Sequence, residues 1–113
     1  MIKEKIIEEI KKHTISFVNI ENIFDEHGFY YKGDLTLEVP TLKNFVLWSG
    51  WNQEAIDIFD SVRKSKNITM KLCQPLVYLH DGKALNLPLA KRAISYKKPH
   101  WVPIVLVYDK KAS

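Results

Sequence analysis

Ile2-Lys3-Glu4-Lys5-Ile6-Ile7-Glu8-Glu9-Ile10-Lys11-Lys12-His13, then Thr14-Ile15-Ser16-Phe17-Val18, then Asn19-Ile20-Glu21-Asn22-Ile23-Phe24-Asp25-Glu26-His27-Gly28, is the stretch that decides the fold. In the first segment Ile2, Ile6, Ile7 and Ile10 recur at helical spacing with Lys and Glu filling the other face, which predicts an amphipathic helix over 2–13. In the third, Ile20, Ile23 and Phe24 share a face behind Asn19 as N-cap, and Gly28 stands where a left-handed C-terminal residue is expected, so a second helix over 19–27 follows. Two helices joined by a short connector form a helix-turn-helix or winged-helix start. The connector Ile15 to Val18 is also able to contribute one rung of a strand.

The chain beyond changes period. Residues 29–39 alternate, and Asn44-Phe45-Val46-Leu47-Trp48 is a second β-rich run past Pro40, which predicts a hairpin broken by Ser49-Gly50. Trp51, Ala55, Ile58, Phe59 and Val62 return to helical spacing, giving a helix over 51–64 with acids early and Arg63 and Lys64 late, as the helix dipole favours. Ile68 to Leu72 alternates, Leu76 to Leu79 is apolar, and Asp81-Gly82 is a turn signal, so a wing-like hairpin is expected there. A short helix over 87–95 behind Asn86, with Pro88 in its first turn, and a last strand over 101–108 with Pro103 near its start complete the reading. The expected fold is one α+β, winged-helix-like domain over 1–113, with three to four helices packed on a small antiparallel sheet.

Composition bounds the function. The 113 residues are 46% hydrophobic and 27% charged, which suits a packed globular chain. A signal peptide and a membrane span are not expected, because the N-terminal segment mixes charges with isolated isoleucines and no run of about 18 apolar residues occurs. The lone Cys73 cannot form an internal disulfide and fits a reducing compartment, so the expected location is cytoplasmic. The charge is uneven: residues 1–60 carry six lysines against eleven acids, whereas 61–113 carry eleven Lys or Arg against Asp81 and Asp109. Asymmetry of this kind points to a polyanionic partner.

The densest cationic stretch is Lys91-Arg92-Ala93-Ile94-Ser95-Tyr96-Lys97-Lys98-Pro99-His100-Trp101, which contains no acid. Cations neutralise phosphates and release counterions, while aromatic faces stack bases, and both are present here. The expected nucleic-acid-binding residues are therefore Lys91, Arg92, Lys97 and Lys98 on phosphates, Tyr96 and Trp101 as stacking faces, and His100 as a polar contact. Tyr30 and Tyr31, where one of two rings in an alternating strand faces outward, and Trp48 and Trp51, which flank Ser49-Gly50, are additional stacking or partner-binding candidates, the latter pair alternatively being core anchors.

No catalytic or metal-binding pattern emerges. His13, His27, His80 and His100 are far apart and share no ligand spacing with Cys73. Asp81 beside His80 is explained by its turn. Ser61-x-x-Lys64 and Ser95-x-x-Lys98 lack the companion motifs of serine-lysine hydrolases, and the four glycines are isolated, so there is no phosphate loop. The expectation is a non-enzymatic binding protein with no cofactor and no metal.

Tyr31-Lys32-Gly33-Asp34, Leu47-Trp48-Ser49-Gly50-Trp51-Asn52, Leu85-Asn86-Leu87-Pro88-Leu89-Ala90-Lys91-Arg92 and Tyr96-Lys97-Lys98-Pro99-His100-Trp101 together resemble the small winged-helix-like proteins encoded by staphylococcal cassette chromosome elements. That family includes a single-stranded-DNA-binding member associated with cassette replication genes. The resemblance implies a role in handling DNA, single-stranded DNA first, during replication or transfer of a mobile genetic element; little sequence preference is expected because stacking tolerates any base. Two other readings stand beside it: an adaptor for a replication polymerase or helicase, using Trp48, Trp51 and the acidic first half, and a winged-helix regulator on double-stranded DNA. Glu54, Asp57 and Asp60 on the 51–64 helix weigh against the last, since an acidic face suits a major groove poorly.

Overall fold

The computed structural model describes residues 1–110. Along the chain come α1 (Ile2–Lys12), α2 (Phe17–Glu26), β1 (Lys32–Glu38), β2 (Phe45–Trp51), α3 (Gln53–Arg63), β3 (Ile68–Leu72), α4 (Pro75–Asp81), β4 (His100–Trp101) and β5 (Ile104–Tyr108). The strands form two small sheets, β1-β2-β4 and β3-β5. Antiparallel pairing dominates, with only β4 lying parallel to β2. The fold is α+β, with four helices around five strands.

Local chemistry explains where the elements begin and end. The second helix starts at Phe17, one turn earlier than an Asn19 cap predicts, because Ser16 and Asn19 cap it reciprocally. The Ser16 hydroxyl accepts the Asn19 N–H at 3.2 Å and the Asn19 side chain accepts the Ser16 N–H at 2.9 Å. Gly28 ends the helix at φ +67, as its position predicts. The connector contributes a single rung, Ile15 against Leu106. Ser49-Gly50 does not break β2: Gly50 takes φ +88 inside an irregular register and the strand runs on to Trp51, leaving Asn52 to cap α3.

Three expectations fail in the last third. Residues 76–79 are helical, so no wing-like hairpin forms there: Pro75 sets the first turn of α4, Gly82 ends it at φ +98, and β3 pairs instead with β5. Residues 87–95 form no helix, because their polar groups are committed elsewhere. Ala90 donates to the Trp101 carbonyl, and the Pro88 carbonyl accepts from Trp101, both at 2.8 Å. The run 101–108 is two strands, not one. Trp101 and Val102 pair toward β2, Pro103 has no N–H to continue the ladder, and the chain crosses there to β3.

Between the two sheets and the helices lies an aromatic core. Phe17 stacks on Trp48 at 5.6 Å, Trp48 meets Tyr78 at 5.2 Å, and Tyr78 meets Trp101 edge-on at 5.1 Å. Inside it sits one carboxylate, Glu21, only 4% exposed. Its oxygens accept from Trp48 Nε1 at 2.9 Å, Trp51 Nε1 at 2.8 Å and Lys83 Nζ at 2.9 and 3.1 Å. A buried charge is tolerable only when paired and hydrogen-bonded, and here each condition is met. The ion pair also ties the start of the cationic loop to α2.

Candidate nucleic-acid interface

The long loop from Lys83 to Pro99 carries the cationic stretch, and its course is set by bonds to the β-sheet edge. Leu89 bridges Trp101 in parallel on one side. On the other, Lys43 and Asn44, just before β2, clamp residues 95–100. Lys43 N–H donates to Ser95 Oγ at 3.0 Å, Tyr96 N–H to the Lys43 carbonyl at 2.9 Å, Asn44 Nδ2 to the Tyr96 carbonyl at 2.9 Å, and His100 N–H to the Asn44 carbonyl at 2.8 Å. Asn44 itself adopts φ +59, a left-handed conformation that asparagine tolerates better than most residues. The irregular loop is thus held by named contacts along both flanks.

Lys91, Arg92, Lys97 and Lys98 are all exposed, and so is Lys43, which the clamp brings against the same loop. The described ion pairs involve Lys5, Lys12, His13, Arg63 and Lys83, and none involves these five cations. No acid occurs between Asp81 and Asp109. Lys43 escapes sequence reasoning because it lies in the acidic half; only the contact between segments 43–44 and 95–100 recruits it.

The structure divides the aromatic candidates. Tyr96 and His100 are half-buried and stacked, rings 3.9 Å apart and 19° from parallel. His100 Nδ1 lies 2.8 Å from the Lys98 carbonyl, which only accepts, so Nδ1 carries the hydrogen and Nε2 is left for another partner. The Tyr96 hydroxyl meets the Lys91 and Arg92 main chain. With Pro88, Leu89, Lys91, Arg92 and Ile94 these rings line an open depression of about 640 Å³.

Trp101, by contrast, is 2% exposed and donates Nε1 to the Leu47 carbonyl at 3.2 Å, so it is a core residue and no base can stack on it. Trp48 and Trp51 are fully buried on Glu21, which corrects their candidacy as stacking or partner contacts and makes them the junction anchors of the other reading. Tyr31 is also buried; loss of water, then the charges of Glu21 and Asp25, push its hydroxyl up to about 12. Tyr30 is 73% exposed, and its carbonyl accepts from Asn52, the cap of α3.

No protein-family model, curated protein or solved structure matches the chain. What the site can do rests on its own residues. Among the described residues no cluster of three or more His, Cys, Asp or Glu side chains is placed to hold a metal ion, and no helix is long and apolar enough to cross a membrane. The arrangement offers unpaired cations beside a stacked aromatic pair, a combination suited to a polyanion that also carries planar groups.

Proposed function

We propose that the protein binds DNA without catalysing a reaction, favouring single strands with little sequence preference, through Lys43, Lys91, Arg92, Lys97, Lys98, Tyr96 and His100. The observation that carries this reading is that four exposed, unpaired cations lie on the irregular loop that bears Tyr96, with Lys43 tied to it by main-chain bonds and Tyr96 stacked on His100. An irregular, open surface suits a flexible strand better than it suits a duplex groove, which is usually read by a regular helix or ribbon. The α3 helix is a poor groove reader: Glu54, Asp57 and Asp60 are acidic, with Asp57 bound to Gln53 and Asp60 to Arg63. The resemblance of residues 85–92 and 96–101 to the cassette-encoded proteins supports the same reading and supplies its setting, an accessory to replication or transfer of a mobile element in the cytoplasm.

One observation favours a protein partner as well. Leu72, Leu76 and Leu79 around α4 are 76%, 71% and 64% exposed, apolar surface of the kind that partner proteins cover, whereas Trp48 and Trp51, on which the adaptor reading rested, are buried. The test is a gel-shift comparison of matched single- and double-stranded oligonucleotides. Retardation of the single strand at lower protein concentration supports the proposal. Absence of any shift, with co-purification of a polymerase or helicase, replaces it with the adaptor reading.

A further inference from the structure

Two consecutive main-chain N–H groups, those of Lys91 and Arg92, converge on a single oxygen, the Tyr96 hydroxyl, each at 3.1 Å. The hydroxyl in turn donates its proton to the Arg92 carbonyl at 3.0 Å. Successive N–H groups pointing into one concavity make a nest, an arrangement that binds anionic oxygens in many phosphate sites. The two residues that supply these N–H groups also carry a lysine ammonium and an arginine fork, donors that complement the remaining oxygens of a phosphate. The Tyr96 ring is held independently of its hydroxyl, by the stack on His100 and by the main-chain bonds to Lys43 and Asn44.

We propose that residues 91–92 form a phosphate-binding nest in which the Tyr96 hydroxyl oxygen occupies the place of a phosphate oxygen, and that a phosphate group of the bound strand displaces it. The proposal rests on the DNA-binding reading for the identity of the ligand, but the nest itself is testable with inorganic phosphate. Displacement returns the Tyr96 hydroxyl to water and gives both N–H groups a charged acceptor in place of a neutral one. Charge-assisted bonds of this kind are roughly twice as strong as neutral ones, which sets the direction of the exchange.

Tyr96→Phe removes the plugging oxygen and keeps the ring. Inorganic phosphate titrated into wild type and Tyr96→Phe, followed by amide proton and nitrogen shifts, is expected to move Lys91 and Arg92 downfield and saturably in both, at several-fold lower phosphate in the variant. The Lys97 and Lys98 amides serve as the internal comparison for mere ionic attraction. Equal titration in the two proteins, or no saturable movement at Lys91 and Arg92, overturns the nest.

Should Tyr96→Phe disorder the loop, the same question is put to wild type with a short oligothymidylate. Tyr96 ring signals are then expected to move along the same isotherm as the Lys91 and Arg92 amides. Binding that leaves those signals in place overturns the nest while the DNA reading stands. Failure to bind the oligonucleotide, with the phosphate response intact, removes the DNA reading while the nest stands.

Discussion

Glu21 shows most directly what one side chain does for this molecule. Its carboxylate is the shared acceptor of two buried indole N–H groups and of Lys83, so a single residue joins α2, β2 and the start of the cationic loop. Glu21→Leu leaves both indole donors buried without acceptors, at about 1–3 kcal/mol each, and a loss of about 2–6 kcal/mol is expected in urea unfolding followed by tryptophan fluorescence. Lys83→Met leaves the buried carboxylate without its counter-charge and should cost about 3 kcal/mol, the low end for breaking a buried pair because the lysine itself is half exposed. His13 offers a pH test. Both of its ring nitrogens face acceptors, the Thr14 carbonyl at 3.0 Å and the Glu9 carboxylate at 3.1 Å, so the imidazolium is favoured and its pKa is raised, first by the Thr14 carbonyl and then by Glu9. The same contact lowers Glu9. A raised histidine stabilises the fold below its unfolded value of 6.5 and loses this as pH rises through the folded value; a lowered glutamate stabilises above its unfolded 4.5 and loses this as pH falls through the folded value. The end of α1 is therefore held best between those two ordinary values, and the His13 ring resonance should titrate above that of a His13-containing unfolded peptide, a difference that Glu9→Gln reduces.

At the scale of elements, backbone crowding decides what the sequence tolerates. A Cβ on Gly33 would lie 2.7 Å from the Trp51 carbonyl oxygen and 2.8 Å from Asn52 Cα and N, all main-chain atoms. Gly33→Ala should therefore push β1 off the end of β2 and cost roughly 1–3 kcal/mol by the same unfolding assay, whereas an alanine-sized group on an open strand would cost little. Much of this architecture is legible in advance: α1 and α3 follow from periodicity because each buries one stripe, while β1, β2 and β3 follow from residue type and turn signals, although β1 buries only Leu37, β3 only Ile68, and β2 is buried on both faces over Phe45–Trp48. The rest is not, for identifiable reasons. Leu76-Val77-Tyr78-Leu79 reads as strand by residue type, yet only Tyr78 is buried, and Pro75 and Gly82 bound a single short helix. Residues 87–95 carry helix-compatible signals, but the partners that prevent a helix, Trp101 and Lys43, are remote in sequence. In the site itself, charge is legible because lysines stay at the surface, while ring exposure is not: Trp101 and Tyr96 lie five residues apart, yet Trp101 sits in β4 with its indole on the Leu47 carbonyl, whereas Tyr96 lies in the loop held by Lys43 and Asn44.

At the scale of the whole molecule, the two halves of the sequence are not two halves in space. The acidic half contributes Lys43 to the basic loop, and the basic half contributes Lys83 to the buried acid of α2. The proposed DNA surface is then a composite of electrostatic and stacking parts that should respond separately. Tyr96→Ala removes the stacked pair and is expected to weaken oligothymidylate binding by about 1–3 kcal/mol with little change in salt dependence. The most direct measurement is the affinity for a fluorescent oligothymidylate across a salt series, for wild type and for a variant carrying Gln at Lys43, Lys91, Arg92, Lys97 and Lys98, both confirmed folded by their tryptophan signals. With each cation neutralising one phosphate of a single strand, the slope of log K against log salt is expected to flatten by roughly 0.7 for each of the five, about 3.5 in all. A variant that binds with unchanged affinity and unchanged slope would contradict the assignment of this surface to DNA.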